Sequence, residues 1–96
     1  MGYYGIMNNT TKGTTMTNAQ RRTAINKKIK SANRVYIWNG WAEHYFKSTK
    51  EDLISWFNYR YKKQAESGAG QSYMDEFLNE MESNLRIDEQ NDLHFN

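Results

Sequence analysis

Ninety-six residues without a cysteine allow one small domain, and they exclude disulfides, zinc–thiolate centres and thiol catalysis. No apolar run approaches the ~20 residues of a membrane span and the N-terminus lacks a signal peptide's apolar centre, so the cytoplasm is the expected location. The net charge of +2 hides a segregation: residues 1–50 hold nine Lys/Arg against one acid, Glu43, whereas residues 51–96 hold four against ten acids. Either two solvated faces attract each other, or the chain carries one basic and one acidic binding surface.

Residues 1–16 are rich in Gly, Asn, Thr and Lys and show no apolar periodicity, so they are expected to be disordered, with Met7 and Met16 as alternative starts to Met1. The single domain is then residues 17–96. Thr17 is an N-cap for a helix over about 17–30, in which Ala24, Ile25, Ile29 and Ala32 form a thin apolar stripe. Around that stripe stand Arg21, Arg22, Lys27, Lys28 and Lys30 with no acid among them, which makes the helix either a solvated surface or a contact for phosphate or an acidic protein.

The stretch from Arg34 to Phe57 dominates the chain. Nine of the fourteen aromatic residues, all three tryptophans included, lie between Arg34 and Tyr61. Two β-favouring runs flank Asn39-Gly40, the dipeptide preferred in a type I′ turn because both central residues need positive φ, so a hairpin is expected over about 34–46. A two-residue turn there sets Trp38 opposite Trp41, Tyr36 opposite Glu43 and Arg34 opposite Tyr45. Alternation then divides the ribbon into an aromatic face of Arg34, Tyr36, Trp38, Trp41, Glu43 and Tyr45 and a core face of Val35, Ile37, Ala42, His44 and Phe46.

Ser48 or Thr49 caps a second helix, about 49–66, with Glu51 and Asp52 in its first turn and Arg60, Lys62 and Lys63 near its end, as the helix dipole favours. Leu53, Trp56, Phe57, Arg60, Tyr61 and Gln64 recur at helical spacing. Ser67-Gly68-Ala69-Gly70 is a flexible loop and no phosphate cradle, for no strand precedes it and no lysine follows at P-loop spacing. Ser72 with Asp75 has the form of a capping box for a third helix, about 72–83, with Met74, Phe77, Leu78 and Met81 inside and Asp75, Glu76, Glu80 and Glu82 outside. The alternation of Leu85-Arg86-Ile87-Asp88 and Leu93-His94-Phe95 predicts a second hairpin over about 84–95. The expected fold is therefore α+β, a small antiparallel sheet covered on one face by three helices.

Catalytic chemistry is sparse. His44 falls on the expected core face and His94 near a frayed end; Glu43 and His44 point to opposite sides of a strand, and no His, Asp and Glu share a face at metal-ligand spacing. Neither an enzyme nor a cofactor is expected. Rings beside cations are the strongest signal, since they serve both protein hot spots and single-strand binding. They also fit a second core face, covered by the basic helix or by a second copy of the chain.

Three segments, RVYIW from Arg34, YFKSTKEDL from Tyr45 and LRIDEQNDLHF from Leu85, resemble short proteins encoded by phages and mobile elements, anti-CRISPRs among them. That resemblance, over about half the chain, implies a non-catalytic inhibitor in the host cytoplasm that occupies a site on a host machine, many such proteins imitating nucleic acid with acidic surfaces. The positive net charge departs from that pattern, which leaves the third helix as the mimic. The leading expectation is a protein that blocks a host nucleic-acid-handling complex, CRISPR-type or another defence, by protein–protein contact through Arg34, Tyr36, Trp38, Trp41, Glu43, Tyr45, Asp75, Glu76, Glu80 and Glu82. The alternative is a direct nucleic-acid binder using Arg21, Arg22, Lys27, Lys28, Lys30 and Arg34, and a third is a homodimer joined through the aromatic face.

Overall fold

Thr17 starts the first helix through a reciprocal pair of hydrogen bonds: its Oγ1 accepts the Gln20 N–H at 3.1 Å while its own N–H donates to Gln20 Oε1 at 2.8 Å. This capping box satisfies two of the donors that a helix start leaves orphaned. In the computed structural model, which describes residues 16–96, α1 spans Asn18–Ser31. Residues 1–15, and with them nearly all of the segment expected to be disordered, lie outside the described residues.

Strands β1 (Val35–Asn39) and β2 (His44–Ser48) form the first hairpin, and α2 (Lys50–Glu66) follows with Thr49 as its cap, the Asp52 N–H donating to Thr49 Oγ1 at 3.0 Å. Of the two expected caps Ser48 is excluded, because it closes β2 opposite Val35. Helix α3 (Gln71–Asn84) runs into β3 (Leu85–Ile87), and β4 (Leu93–Phe95) returns antiparallel to β3. The fold is α+β, with three helices and one four-stranded sheet in the order β2-β1-β4-β3.

Both hairpins are antiparallel, as expected. They meet side by side through a parallel seam, Val35 opposite Leu93 and Ile37 opposite Phe95, so the sheet is mixed and not antiparallel throughout. The seam places Val35, Leu85 and Leu93 on one side of the sheet. There they join Ile25, Ile29 and Ala32 of the first helix and its end, Leu53 and Phe57 of α2, and Met74, Leu78 and Met81 of α3 in a single buried cluster. Side chains such as Phe57, Ile29 and Leu78 are fully buried, each contributing about 1.5–3 kcal/mol relative to exposure. Ala24, expected on the first helix's stripe, faces outward.

Two turns depart from expectation. The first hairpin closes through four residues, Gly40–Glu43, with Asn39 paired to His44, and not through Asn39-Gly40. The Asn39 side chain decides this: its Oδ1 accepts the N–H groups of both Trp41 (2.9 Å) and Ala42 (3.0 Å), which folds the chain forward, and the left-handed residue becomes Glu43 at φ 56°. The register moves by four residues, an even number, so every strand residue keeps its face. Trp38 now lies opposite Tyr45 and Tyr36 opposite Lys47. The second departure is the start of α3. Gly70, at φ 102°, is its N-cap, and no side chain caps it. Ser72 is already inside the first turn, so the expected capping box with Asp75 does not form.

Candidate binding surfaces

Trp41, expected beside Trp38 on the sheet, stands instead at the hairpin tip and is 99% exposed. Glu43, expected opposite Tyr36, is likewise in the turn, where its N–H donates to the Asn39 carbonyl at 2.8 Å and its side chain is exposed. The loop backbone is therefore tied at three points, and the indole is presented from a fixed base. Just behind it Trp38 is 41% exposed on one side of the ribbon and Phe46 nearly half exposed on the other. His44 does take the Phe46 side, its ring centroid 4.1 Å away, but the helical layer does not reach that end, and His44 is exposed, not a core histidine.

The sheet side away from the helices carries a sheet of rings. Tyr36 stacks on His94 (5.4 Å, 22°), and Tyr45 meets His94 and Trp38 edge-on, each at 5.1 Å. Polar atoms fix the cluster: Tyr45 Oη donates to Asn96 Oδ1 at 2.5 Å and accepts from Arg86 Nη2 at 3.0 Å, and His94 Nε2 lies 2.9 Å from Asp88 Oδ2. The hydrogen bond with His94, helped by turn N–H groups, holds the Asp88 carboxyl below its ordinary range. Stacked on one another, Tyr36 and His94 turn part of their faces inward, so the cluster is partly a second small core. Trp38 is its most exposed ring.

Arg34 does not pair with Tyr45. Its Nε and Nη2 donate to Asp92 Oδ1 (3.0 Å) and Oδ2 (2.8 Å), and this two-pronged contact with a buried carboxylate holds the guanidinium above its ordinary value. Arg34 thus locks the β3–β4 turn to the start of β1, beside Asn33, which donates to the Asn91 and Gln90 carbonyls.

The cations of α1 divide by partner. Arg21 is neutralised internally: it bridges to Glu82 (Nη2–Oε1 2.8 Å, Nε–Oε2 3.2 Å) and Asp75 (3.4 Å) and also donates to Asn79, with the Glu82 hydrogen bond raising its pKa. Asp75 and Glu82 are therefore the glue between α1 and α3 and not free elements of an acidic surface, whereas Glu76 and Glu80 remain exposed. Lys28 Nζ donates to the Leu85 carbonyl at 2.6 Å and is structural. Lys27 and Lys30 are exposed. Arg22 is held without any carboxylate, its Nε donating to Asn58 Oδ1 at 2.7 Å and its guanidinium lying 5.0 Å from the Tyr61 ring centroid.

Lys47, Arg86 and His94 on the ring-bearing sheet face were not expected there. Their alternation was visible, but the parallel seam that gathers them was not. The outer side of α2 was also missed: Trp56 and Tyr59 are exposed, with Arg60 5.9 Å and Lys63 5.6 Å from their respective ring centroids. Of the residues expected at helical spacing on α2, Arg60 is exposed, and Trp56 is exposed on one side while its ring meets Phe95 edge-on at 5.4 Å. Among the described residues no helix is long and apolar enough to cross a membrane, and no three His, Asp or Glu converge as a metal site. Comparison of the chain with protein-family profiles, curated proteins and solved structures finds no match.

Proposed function

We propose that the chain is a non-catalytic binding protein that blocks a nucleic-acid-handling complex of a host cell by protein–protein contact, anchored by the β1–β2 hairpin tip. The observation that carries this reading is Trp41, 99% exposed on a loop whose backbone is clamped by the Asn39 side chain. An apolar ring of this size has no folding role at that exposure, and tryptophan is the residue most enriched where interfaces concentrate their energy. Clamping the loop lowers the ordering cost of docking the ring. Trp38 on one side of the ribbon and Phe46 on the other leave exposed apolar surface behind the tip. The likeness to short inhibitors from phages and mobile elements supports the same class of action.

The test is retention of host proteins on the immobilised chain, measured with and without nuclease. A specific protein partner is expected to survive nuclease treatment, and Trp41→Ala, which leaves the fold untouched, is expected to weaken its binding about 30-fold or more, the effect of losing at least ~2 kcal/mol at a hot spot. Equal binding by Trp41→Ala, or retention that vanishes with nuclease, refutes the reading.

A further inference from the structure

The antiparallel packing of α1 on α2 leaves two shallow hollows along their outer side that meet at Ser55, and the chemistry of the groove they make together is independent of the hairpin. At one end stand Lys30 and Lys50, the latter tethered by its Nζ to the Lys30 carbonyl at 3.0 Å. At the other stand Arg22 and Lys62, beside the rings of Tyr59 and Tyr61. Lys50 and Lys62 are twelve residues apart on α2, so the two cationic ends are about 18 Å apart at 1.5 Å per residue. Between them Asn26 and Asn58 exchange reciprocal amide hydrogen bonds of 3.2 and 3.1 Å and keep the helices in register. Two carboxylates, Glu51 and Glu66, also line the groove, one at each end, against its four cations.

Arg22 gives the groove its meaning. Arg21 and Arg34 face carboxylates and are neutralised, whereas Arg22 is fixed by an amide oxygen and a ring, both neutral. One donor, Nε, holds the side chain in place, which leaves the guanidinium's full charge and its Nη donors for a ligand. A guanidinium oriented by neutral groups and followed by lysines along one groove suits a chain of phosphates. Tyr59, exposed at the groove's edge, adds a ring on which a base can stack.

From this we infer that the α1–α2 groove binds the sugar–phosphate backbone of a single-stranded nucleic acid, with Arg22, Lys30, Lys50 and Lys62 as phosphate contacts and Tyr59 as a stacking ring. The inference goes beyond the hairpin reading and stands on a different surface. It also revises the expected set of basic residues: Arg21 and Arg34 face carboxylates and Lys28 holds a part-buried carbonyl, while Lys50, whose single carbonyl contact is exposed and leaves two N–H donors, and Lys62 join Arg22 and Lys30.

The experiment is a fluorescence-anisotropy titration of the full chain with a labelled oligothymidine of about 12 nucleotides, inside the ~4–16-nucleotide range of small single-strand binders, repeated over a series of salt concentrations. Wild type is expected to bind at low salt and weaken as salt rises. Lys30→Glu with Lys62→Glu, both at exposed positions, is expected to weaken binding about tenfold or more and to flatten the log–log salt slope by about 1.4, the value for two lost single-strand phosphate contacts. Arg22→Gln weakens it as well, while Trp41→Ala and Lys47→Glu, on other surfaces, bind as wild type does. No binding by wild type at low salt overturns the inference, as does an unchanged slope in the double variant. So does a loss as large in Lys47→Glu, or displacement of the oligonucleotide by polyglutamate as readily as by unlabelled oligothymidine.

Discussion

Adjacent arginines with opposite fates give the sharpest test. Replacing Arg21 by glutamine removes two ion pairs and the hydrogen bond to Asn79 that tie α1 to α3. The guanidinium is only 15% exposed, but Asp75 and Glu82 are 49% and 44% exposed, so water takes over much of what the arginine supplied. A hydrogen bond to a charged partner is worth about 1.5–3 kcal/mol when well sheltered and an exposed ion pair about 0.2–1 kcal/mol; this half-sheltered contact falls between, at about 1–2 kcal/mol. For a domain of this size that lowers the melting temperature by about 4–16 °C. Arg22→Gln, which loses a hydrogen bond to an amide and a cation–π contact, costs about 1 kcal/mol. Salt separates the two. At about 1 M salt, where the Debye length is near 3 Å, the Arg21→Gln deficit shrinks because carboxylates are its partners, while the Arg22→Gln deficit persists. Oligonucleotide affinity separates them in the other direction, falling in Arg22→Gln and holding in folded Arg21→Gln. Calorimetric melts at two salt concentrations, read beside anisotropy, check both. An Arg21→Gln protein that melts like wild type but no longer binds would refute the division of labour.

Two further predictions concern stability. Asp88→Asn keeps the Oδ1 acceptor for the Gln90 and Asp92 N–H groups and replaces the Oδ2 that faces His94 by an amide nitrogen, removing the carboxylate's charge and its acceptor there. Because the folded-state pKa of Asp88 is lowered, its stabilisation is complete above the ordinary aspartate range, about 3.9, and is lost as pH falls through the folded value. Wild type should therefore out-melt Asp88→Asn at pH values above the ordinary aspartate range, and the gap should narrow in strong acid; a gap of constant size across pH contradicts a stabilising role for the Asp88 carboxylate. Gly70→Ala should destabilise by about 1–3 kcal/mol in urea unfolding, because φ 102° and ψ 176° suit glycine alone. An added Cβ there meets no atom within 4 Å, so a larger loss would mean that something other than backbone strain is at work.

The sequence carried the elements and their faces. Thr17 and Thr49 are readable as caps because a hydroxyl before an apolar stripe has one good use, and Met74, Leu78 and Met81 announce their buried side by spacing. Alternation assigned Tyr36, Trp38 and Tyr45 to one face even with the wrong turn, since parity survives any even shift of register. What failed was everything decided by competition or by distant partners. Asn39-Gly40 has the dipeptide of a tight turn, yet the Asn39 side chain prefers two backbone donors ahead of it. Ser72 with Asp75 has the pattern of a capping box, yet Gly70 starts the helix earlier and Asp75 turns to Gln71 and Arg21. The parallel seam between β1 and β4 joins segments nearly sixty residues apart, and no local periodicity encodes it.

The same logic governs the charge segregation. Successive residues on a helix diverge by about 100°, so Arg21 and Arg22 cannot serve the same neighbour: one faces α3 and its acids, the other faces α2 and its amides and rings. Attraction between the basic front half and the acidic back half is therefore used inside the fold, where it neutralises Asp75 and Glu82 and leaves Glu76 and Glu80 as the outward remainder of that expected acidic set. Two exposed carboxylates one turn apart make a thin imitation of a phosphate backbone. Four cations along a groove, one of them an arginine oriented by neutral groups, make a better receptor for one. Internal pairing takes half of each expected set, Asp75 and Glu82 from the acids and Arg21, Lys28 and Arg34 from the cations, but Lys50 and Lys62 replenish the basic side, and on this rests our proposal of an anionic ligand for the helical layer beside a protein contact at the hairpin tip.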